Sequence, residues 1–270
     1  MITLTLKEQP SVPLEAEVIS PDVFVGLGHD EIRALPVFLG KRRHRLDAFF
    51  DLEGQRSEEL AIRGELGKVK WIGRGMTRGR ITITGNIGMH LGAHMTGGTI
   101  QVSGDAGDWV GGEMCGGLIH IRGNAGGQVG AAYRGSLSGM SGGSILIEGS
   151  AGIEIGMRMR RGLIAVRARV RDFAGLQMKG GTIVLMGGAE IRTGAWMTRG
   201  TIISLTPLRL LPTFASACTY HPTFLRLYSR HLQQWGFSIP CEDGDGAYRR
   251  YIGDAAVPGK GEVLLWQRSA

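Results

Sequence analysis

The sequence predicts an all-β fold: a single-stranded right-handed β-helix of about seven 19-residue turns, with a small N-terminal α/β cap and a C-terminal helix. Three observations carry this expectation. Gly makes up 45 of 270 residues, and each Gly inside a helix costs about 1 kcal/mol, so a helical chain is excluded. Met recurs at Met76, Met95, Met114, Met140, Met159, Met178 and Met197, at intervals of 19, 19, 26, 19, 19 and 19 residues. Three residues after each Met stands Gly (Gly79, Gly98, Gly117, Gly143, Gly162, Gly181, Gly200), and five after it stands Ile (Ile81, Ile100, Ile119, Ile145, Ile164, Ile183, Ile202).

The elements follow in chain order. Residues 1–59 form the N-terminal cap region. They open with Ile2, Leu4 and Leu6 alternating with Thr3, Thr5 and Lys7, the pattern of an edge strand. A short helix is expected near Asp30 to Leu35, stopped by Pro36, and Gly40-Lys41-Arg42-Arg43-His44-Arg45 reads as a solvated basic turn. Residues 60–206 form the Gly-rich β-helix. Seven residues after each Met the side chain is again apolar (Ile83, Val102, Ile121, Ile147, Val166, Leu185), except for Ser204 in the last turn, so each turn holds a short strand with two inward residues. A 19-residue unit cannot bury its own apolar residues, so identical columns must stack. Seven turns at about 4.8 Å give a rod of roughly 34 Å. The single long interval is a seven-residue insertion before Met140, a natural docking loop in which Tyr133 and Arg134 project outward. Residues 207–270 hold a helix in which Phe224, Tyr228, Leu232 and Trp235 recur after Pro222 and before Gly236, expected to cover the open end of the stack, and a closing strand pair around Val257 to Gly261.

Composition narrows the function classes. Three cysteines, Cys115, Cys218 and Cys241, are too few and too scattered for a disulfide scaffold or an iron-sulfur cluster. No apolar run reaches a membrane-spanning length, and the first residues lack a secretory signal pattern, so a cytoplasmic location without membrane contact is expected. The net charge of +7 makes acidic partners plausible, but no nucleic-acid motif accompanies it, so nucleic acid is not expected. The solenoid acids Asp105, Asp108, Glu113, Glu148, Glu154, Asp172 and Glu190 fall for the most part in different columns, which argues against a carbohydrate-active β-helix enzyme with paired carboxylates. The column after Met runs Thr77, Thr96, Cys115, Ser141, Arg160, Lys179, Thr198, and its charges argue against an ice-binding threonine ladder.

Several segments carry a family resemblance. Gly-rich turns of this kind resemble the C-terminal domain of the large subunit of glutamate synthase and, more closely, the C subunit of formylmethanofuran dehydrogenase. Pro21-Asp22-Val23-Phe24-Val25-Gly26-Leu27, Glu31-Ile32-Arg33-Ala34-Leu35-Pro36-Val37 and Leu39-Gly40 resemble the N-terminal region of that subunit. Val129-Gly130-Ala131-Ala132-Tyr133-Arg134-Gly135 with Gly139-Met140-Ser141-Gly142-Gly143 resembles its inserted turn, and Tyr251-Ile252-Gly253-Asp254 with Gly259-Lys260-Gly261-Glu262 its tail. The resemblance implies a non-catalytic β-helical subunit with no cofactor or metal of its own. Its implied partners are a formyltransferase subunit, an amidohydrolase-like zinc subunit and a homologue of the dehydrogenase's B subunit. The parent assembly is then either the formyltransferase/hydrolase complex of methylotrophs or a molybdenum or tungsten formylmethanofuran dehydrogenase. The first moves formyl from formyl-tetrahydromethanopterin to methanofuran or methylofuran and hydrolyses it to formate, in the one-carbon metabolism of formaldehyde oxidation. Arg-rich, Lys-poor composition favours the first.

Two groups of side chains stand out as candidate sites. In turn five, residues 153–171, Arg158, Arg160, Arg161, Arg167, Arg169 and Arg171 oppose one acid, Glu154, and Lys179 of the next turn stacks beside Arg160. With Val166, Ala168 and Val170 inward, Arg167, Arg169 and Arg171 share the outer face. This strip is either a solvated or subunit-contacting face or a holder for the polyglutamate tail that the resemblance implies, since guanidinium forks bind carboxylates well. Tyr133, Arg134 and Met140 are the candidate partner-docking residues. His90 and His94 lie near Glu113 and Cys115, but His90 shares its column with Trp71 and Trp109, so an aromatic stack is the more economical account than zinc.

Overall fold

A computed structural model describes residues 1–242 and 244–268. The strands are β1 (Ile2–Leu6), β2 (Leu14–Glu15), β3 (Pro36–Leu39), β4 (Arg42–Arg45), β5 (Phe50–Gly54), β6 (Glu59–Arg63) and β7 (Val69–Lys70). They continue as β8 (Arg80–Thr84), β9 (Thr99–Val102), β10 (Leu118–Ile121), β11 (Ser141–Ile147), β12 (Arg161–Val166), β13 (Lys179–Leu185) and β14 (Arg199–Ser204). The last are β15 (Ala215–Tyr220), β16 (Ala247–Gly253) and β17 (Gly261–Gln267). Helices are α1 (Pro21–Phe24), α2 (His29–Arg33) and α3 (Leu225–Gln233).

β8 to β14 are the seven strands of the repeat, paired in parallel with Ile beside Ile: Ile81, Ile100, Ile119, Ile145, Ile164, Ile183 and Ile202 in one row. A second parallel row joins Leu66, Ile87, Ala106, Ala125, Ala151, Val170 and Ala189. The chain therefore advances as stacked turns, each hydrogen-bonded to the next. The insertion before Met140 leaves the register intact, because Ile119 still faces Ile145.

The Met column is fully buried, at 0% exposure for all seven. Its partner is the Gly column. A Cβ on Gly98 would lie 2.5 Å from the Met76 methyl, and one on Gly117, Gly143, Gly162, Gly181 or Gly200 would lie 2.7 to 2.8 Å from the methyl of the Met one turn below. These glycines also have φ between 81° and 105°. Met and Gly recur together because each methyl fills the space that the next turn's missing Cβ leaves.

Both ends differ from expectation. β1 is not an edge strand: it lies between β5, antiparallel, and β6, parallel, which extends the row below the repeat. The segment 40–45 is a strand rather than a free turn, since β4 pairs with β3 in a separate four-stranded sheet, order β4-β3-β2-β7. α2 appears where a helix was expected, with the Gly28 amide donating to Glu31 Oε2 at 2.7 Å. At the other end β17 continues the parallel row from β14, and β16 and β15 follow antiparallel, completing the 13-stranded sheet.

α3 starts at Leu225, not at Pro222, and it does not cover the stack's end. It lies on the outer face of the sheet, where Leu225, Leu232 and Phe237 bury Leu146, Leu163, Ala165, Val184, Ile203 and Leu264. The β17 row has already covered the end, so the apolar residues left over are those facing outward. Polar ties fix the helix: Thr182 Oγ1 to the Tyr228 hydroxyl at 2.9 Å and Ser144 Oγ to His231 Nε2 at 3.1 Å. Arg167 adds a clamp, bonding Glu148 and the Gly236 carbonyl and lying over the Phe237 ring. His120 Nε2 sits 2.9 Å from Glu148 Oε1, but burial holds the His120 pKa below its usual value, so the imidazole is neutral at pH 7 and the contact is not an ion pair.

Two glycines separate the effect of space from that of backbone conformation. Gly116→Ala places a Cβ 2.2 Å from the Thr96 carbonyl oxygen, and is expected to destabilise the fold by about 3 kcal/mol. Gly75→Ala meets no atom within 4 Å but has φ of 64°, and is expected to cost about 1 kcal/mol. Urea unfolding of both variants checks this order.

Candidate functional site

The face that bears chemistry is the corner preceding the Met column. There most turns are left-handed at three positions: the middle one is always glycine, from Gly73 and Gly92 to Gly175 and Gly194, but the two that flank it are mostly not. Trp71, His90, Trp109, Gln128, Glu154, Phe173 and Arg192 form one row, and His94, Glu113, Arg158, Gln177 and Trp196 a second row four residues on, all with φ between 52° and 68°. The conformation turns each amide up the stack: His90 N donates to Asp108 O, Trp109 to Gly127 O, Glu154 to Asp172 O and Arg158 to Leu176 O, each at 2.9 Å. Gly75 holds the first place of the second row, so the fold accepts glycine there and does not need the large side chains. An L-residue in this region carries a cost of about 1–2 kcal/mol.

The side chains of the first row stack. Trp71 and His90 are parallel at 4.0 Å, as the shared column implied. Tyr133 differs from expectation: it does not project outward but lies on Trp109 at 4.6 Å and 17°. Its hydroxyl is 3.0 Å from His90 Nδ1, and its amide donates to Glu113 Oε1 at 3.0 Å. The aromatic column leaves a flat apolar surface, and the insertion covers it with the Tyr133 ring. His94 Nδ1 is 3.7 Å from Glu113 Oε2. Burial of His90, with help from Lys70 and against the pull of Asp108, lowers its pKa to about 4. Burial, assisted by Glu113, raises that of the Tyr133 hydroxyl. The imidazole and the phenol are therefore both neutral at pH 7, and the histidine tautomer sets which of them donates in their hydrogen bond.

The rest of the inserted loop leans along the stack. Arg158 Nη1 donates to the Ser136 carbonyl at 2.5 Å and its Nε to Gln177 Oε1 at 2.7 Å. Lys179 Nζ donates to the Leu137 carbonyl at 2.9 Å. The loop thus spans from Trp71 to Lys179, and it divides the corner face into two clefts. The larger, of about 860 Å³, is lined by His90, Trp109, Gln128, Tyr133, Arg134, Glu154 and Arg158. The smaller, of about 400 Å³, is lined by Leu137, Arg158, Gln177, Lys179, Trp196, Thr198 and Val257.

The arginines of turn five do not form one strip. β12 ends at Val166, so Arg167, Arg169 and Arg171 lie beyond the strand and do not share its outer face. Arg158 and Arg160 precede it and Arg161 is its first residue, and six residues of extended chain put roughly 20 Å between Arg161 and Arg167. Arg158 and Lys179 hold the loop, and Arg167 holds the C-terminal segment. Arg160, Arg161, Arg169 and Arg171 are exposed. Of the docking residues, Arg134 is exposed, but Met140 is fully buried in the Met column and unavailable to a partner. Sequence reasoning missed the left-handed rows. The signal was present in Trp71, His90, Trp109 and their successors recurring at the repeat interval.

These features define a class, a glycine-rich stack of parallel turns, and the GXGXG motif family matches residues 55–211. The chain belongs to the family that holds the C subunits of formylmethanofuran dehydrogenases and their counterpart in the formyltransferase/hydrolase complex. It is 43% identical over 97 residues to the C subunit of the tungsten-containing formylmethanofuran dehydrogenase 2 of Methanothermobacter thermautotrophicus, covering 34% of this chain and 36% of that one. It is 44% identical over 91 residues to the C subunit of the molybdenum-containing formylmethanofuran dehydrogenase 1 of Methanothermobacter marburgensis, covering 33% and 23%. The match spans about a third or less of the length of these two relatives. A chain in the crystal structure of the formyltransferase/hydrolase complex (FhcABCD) from Methylorubrum extorquens, in complex with methylofuran, superposes with a TM-score of 0.89 and 32% identity, covering 98% of this chain and 100% of that one. Among the described residues, no helix is long and apolar enough to cross a membrane.

The His90 environment has a pH signature. An unfolded histidine takes up a proton near pH 6.5, whereas folded His90 does so near 4, so this contribution to stability is full above pH 6.5 and is lost as the pH falls to about 4. His90→Phe lacks the contribution. Urea midpoints measured at pH 7 and pH 4.5 are expected to shift in the variant's favour at the lower pH.

Proposed function

We propose that this chain is a non-catalytic, right-handed β-helical subunit of a cytoplasmic complex that transfers formyl from formyl-tetrahydromethanopterin to methanofuran or methylofuran and hydrolyses it to formate. The observation that carries this reading is the likeness over 98% of the chain, at 32% identity, to a protein of the formyltransferase/hydrolase complex. The stacked parallel rows fit a scaffold whose flat faces meet other subunits. The partners are a formyltransferase subunit, an amidohydrolase-like zinc subunit and a homologue of the dehydrogenase's B subunit. Glu113, Glu148, Glu154 and Asp172 are each engaged by a donor, which suits a structural role better than paired acid catalysis.

The same reading gives the exposed arginines a task, holding the polyglutamate tail of the one-carbon carrier. Arg160 and Arg161 fit best: they are adjacent, exposed and, among the described residues, without a carboxylate partner. A carboxylate chain along them gains charge-assisted hydrogen bonds without breaking an existing ion pair.

A tagged copy purified from the native organism is expected to bring three further subunits, and the eluate to release formate from formyl-tetrahydromethanopterin and methylofuran without an electron acceptor. Formate oxidation by the eluate would assign the dehydrogenase instead. Recovery of the chain alone would refute both. Arg160→Ala combined with Arg161→Ala is expected to lower the carrier retained through gel filtration several-fold while leaving the subunit composition unchanged.

A further inference from the structure

The smaller cleft has properties that neither the stack nor a cofactor tail accounts for. Leu137, at the tip of the inserted loop, is 70% exposed, and Trp196 is 47% exposed. They line the same cleft with Val257, Arg158 and Lys179. Trp196 holds a left-handed position, φ of 54°, in the row whose first member is Gly75. Its amide is satisfied by Asp254 Oδ2 at 2.8 Å, a bond that glycine would make equally well. The side chain thus adds backbone strain and exposed aromatic surface, and the fold gains little in return. Leu137 is similarly held in place by its backbone alone, through the Lys179 ammonium. The residues lining the cleft include two cations and, among the described residues, no carboxylate. Lys179 spends one of its three donors on the loop and keeps two.

We propose that this cleft is where a partner subunit docks, through a segment that places an apolar side chain between Leu137 and Trp196 and an acidic one against Lys179 and Arg158. The proposal rests on the chain being a subunit of a complex. Exposed Trp beside fixed cations is the composition of an interface anchor. Charge complementarity selects an acidic segment, and the two apolar side chains select a peptide over a bare polycarboxylate, which would leave them in water. A second copy of this chain is disfavoured, because it would bring the same cations and a net charge of +7 to the contact.

The test uses the complex assembled in cells, with Leu137 replaced by the photo-crosslinking residue p-benzoyl-phenylalanine, and reads both the intact-complex mass and the crosslinked peptide. A crosslink to a segment of another subunit that carries apolar and acidic residues supports the proposal. Trp196→Gly is expected to leave the unfolding midpoint of the isolated chain unchanged but to lower recovery of the other subunits at least tenfold, and Lys179→Glu to do the same with a stronger effect at low salt. Crosslinks to a second copy, to this chain itself or to the carrier's tail would overturn it, as would normal assembly of the Trp196→Gly complex. If the mass shows this chain alone, the subunit reading itself fails. If the other subunits are present but the crosslink lies elsewhere, only the docking cleft fails.

Discussion

The molecule rests on the fit between a methionine methyl and the glycine of the next turn. Parallel turns can stack at strand spacing only if nothing at the corners keeps them apart, and a Cβ at Gly98 or Gly181 would push directly into the Met76 or Met159 side chain. The exchange works both ways. Without the methyl, the missing Cβ would leave a void, and without the glycine the methyl would have no place to go. This explains why the two columns are unbroken while the residues between them vary, and why the insertion before Met140 returns the chain to the same fit instead of ending the stack.

Once the inward columns are set, the outward ones are free to differ, and three surfaces result. The sheet's outer face is apolar over β11 to β14 and is closed by α3 and Phe237. The corner rows are aromatic at their beginning, with Trp71, His90 and Trp109, and mix charged, polar and aromatic residues further on. The inserted loop connects these characters, placing Tyr133 on the aromatic part and its backbone carbonyls on Arg158 and Lys179. Arg158 also ties its turn to the next through Gln177, but both cations bond the backbone of the insertion. They fix the inserted loop, and in doing so they present Leu137 beside Trp196.

The stack itself was readable in the sequence because its cause is periodic: Met76 and Ile81 return at 19 residues, and so do their neighbours. What escaped has two physical origins. Left-handed backbone is ordinarily assigned to glycine, so Trp109, Glu154 and Arg158 were not recognised as corner residues, although their amides bond the next turn there. The other misses concern which of several apolar surfaces meet. Ile2 to Leu6 alternates as an edge strand would, and only the pairing with both β5 and β6 places it inside. Leu225 and Leu232 could cover an end or a face, and the choice depends on β17 having reached the end first. The turn-five arginines appeared as one group because a strand was extended past Val166, where the chain in fact turns.

The parallel rows also shape how the chain reaches its folded state. From β8 to β14 every strand pairs with one that is a single turn away in sequence, so each new turn closes a short loop onto a template already formed. The closing pairs are of another kind: Ile202 beside Val263 and Leu4 beside Ile62 join residues about sixty apart. Growth through the middle therefore involves modest loop-closure entropy at each step, while sealing the two ends requires long closures. The central turns form a self-propagating segment, and the terminal strands are the latches that close its two ends.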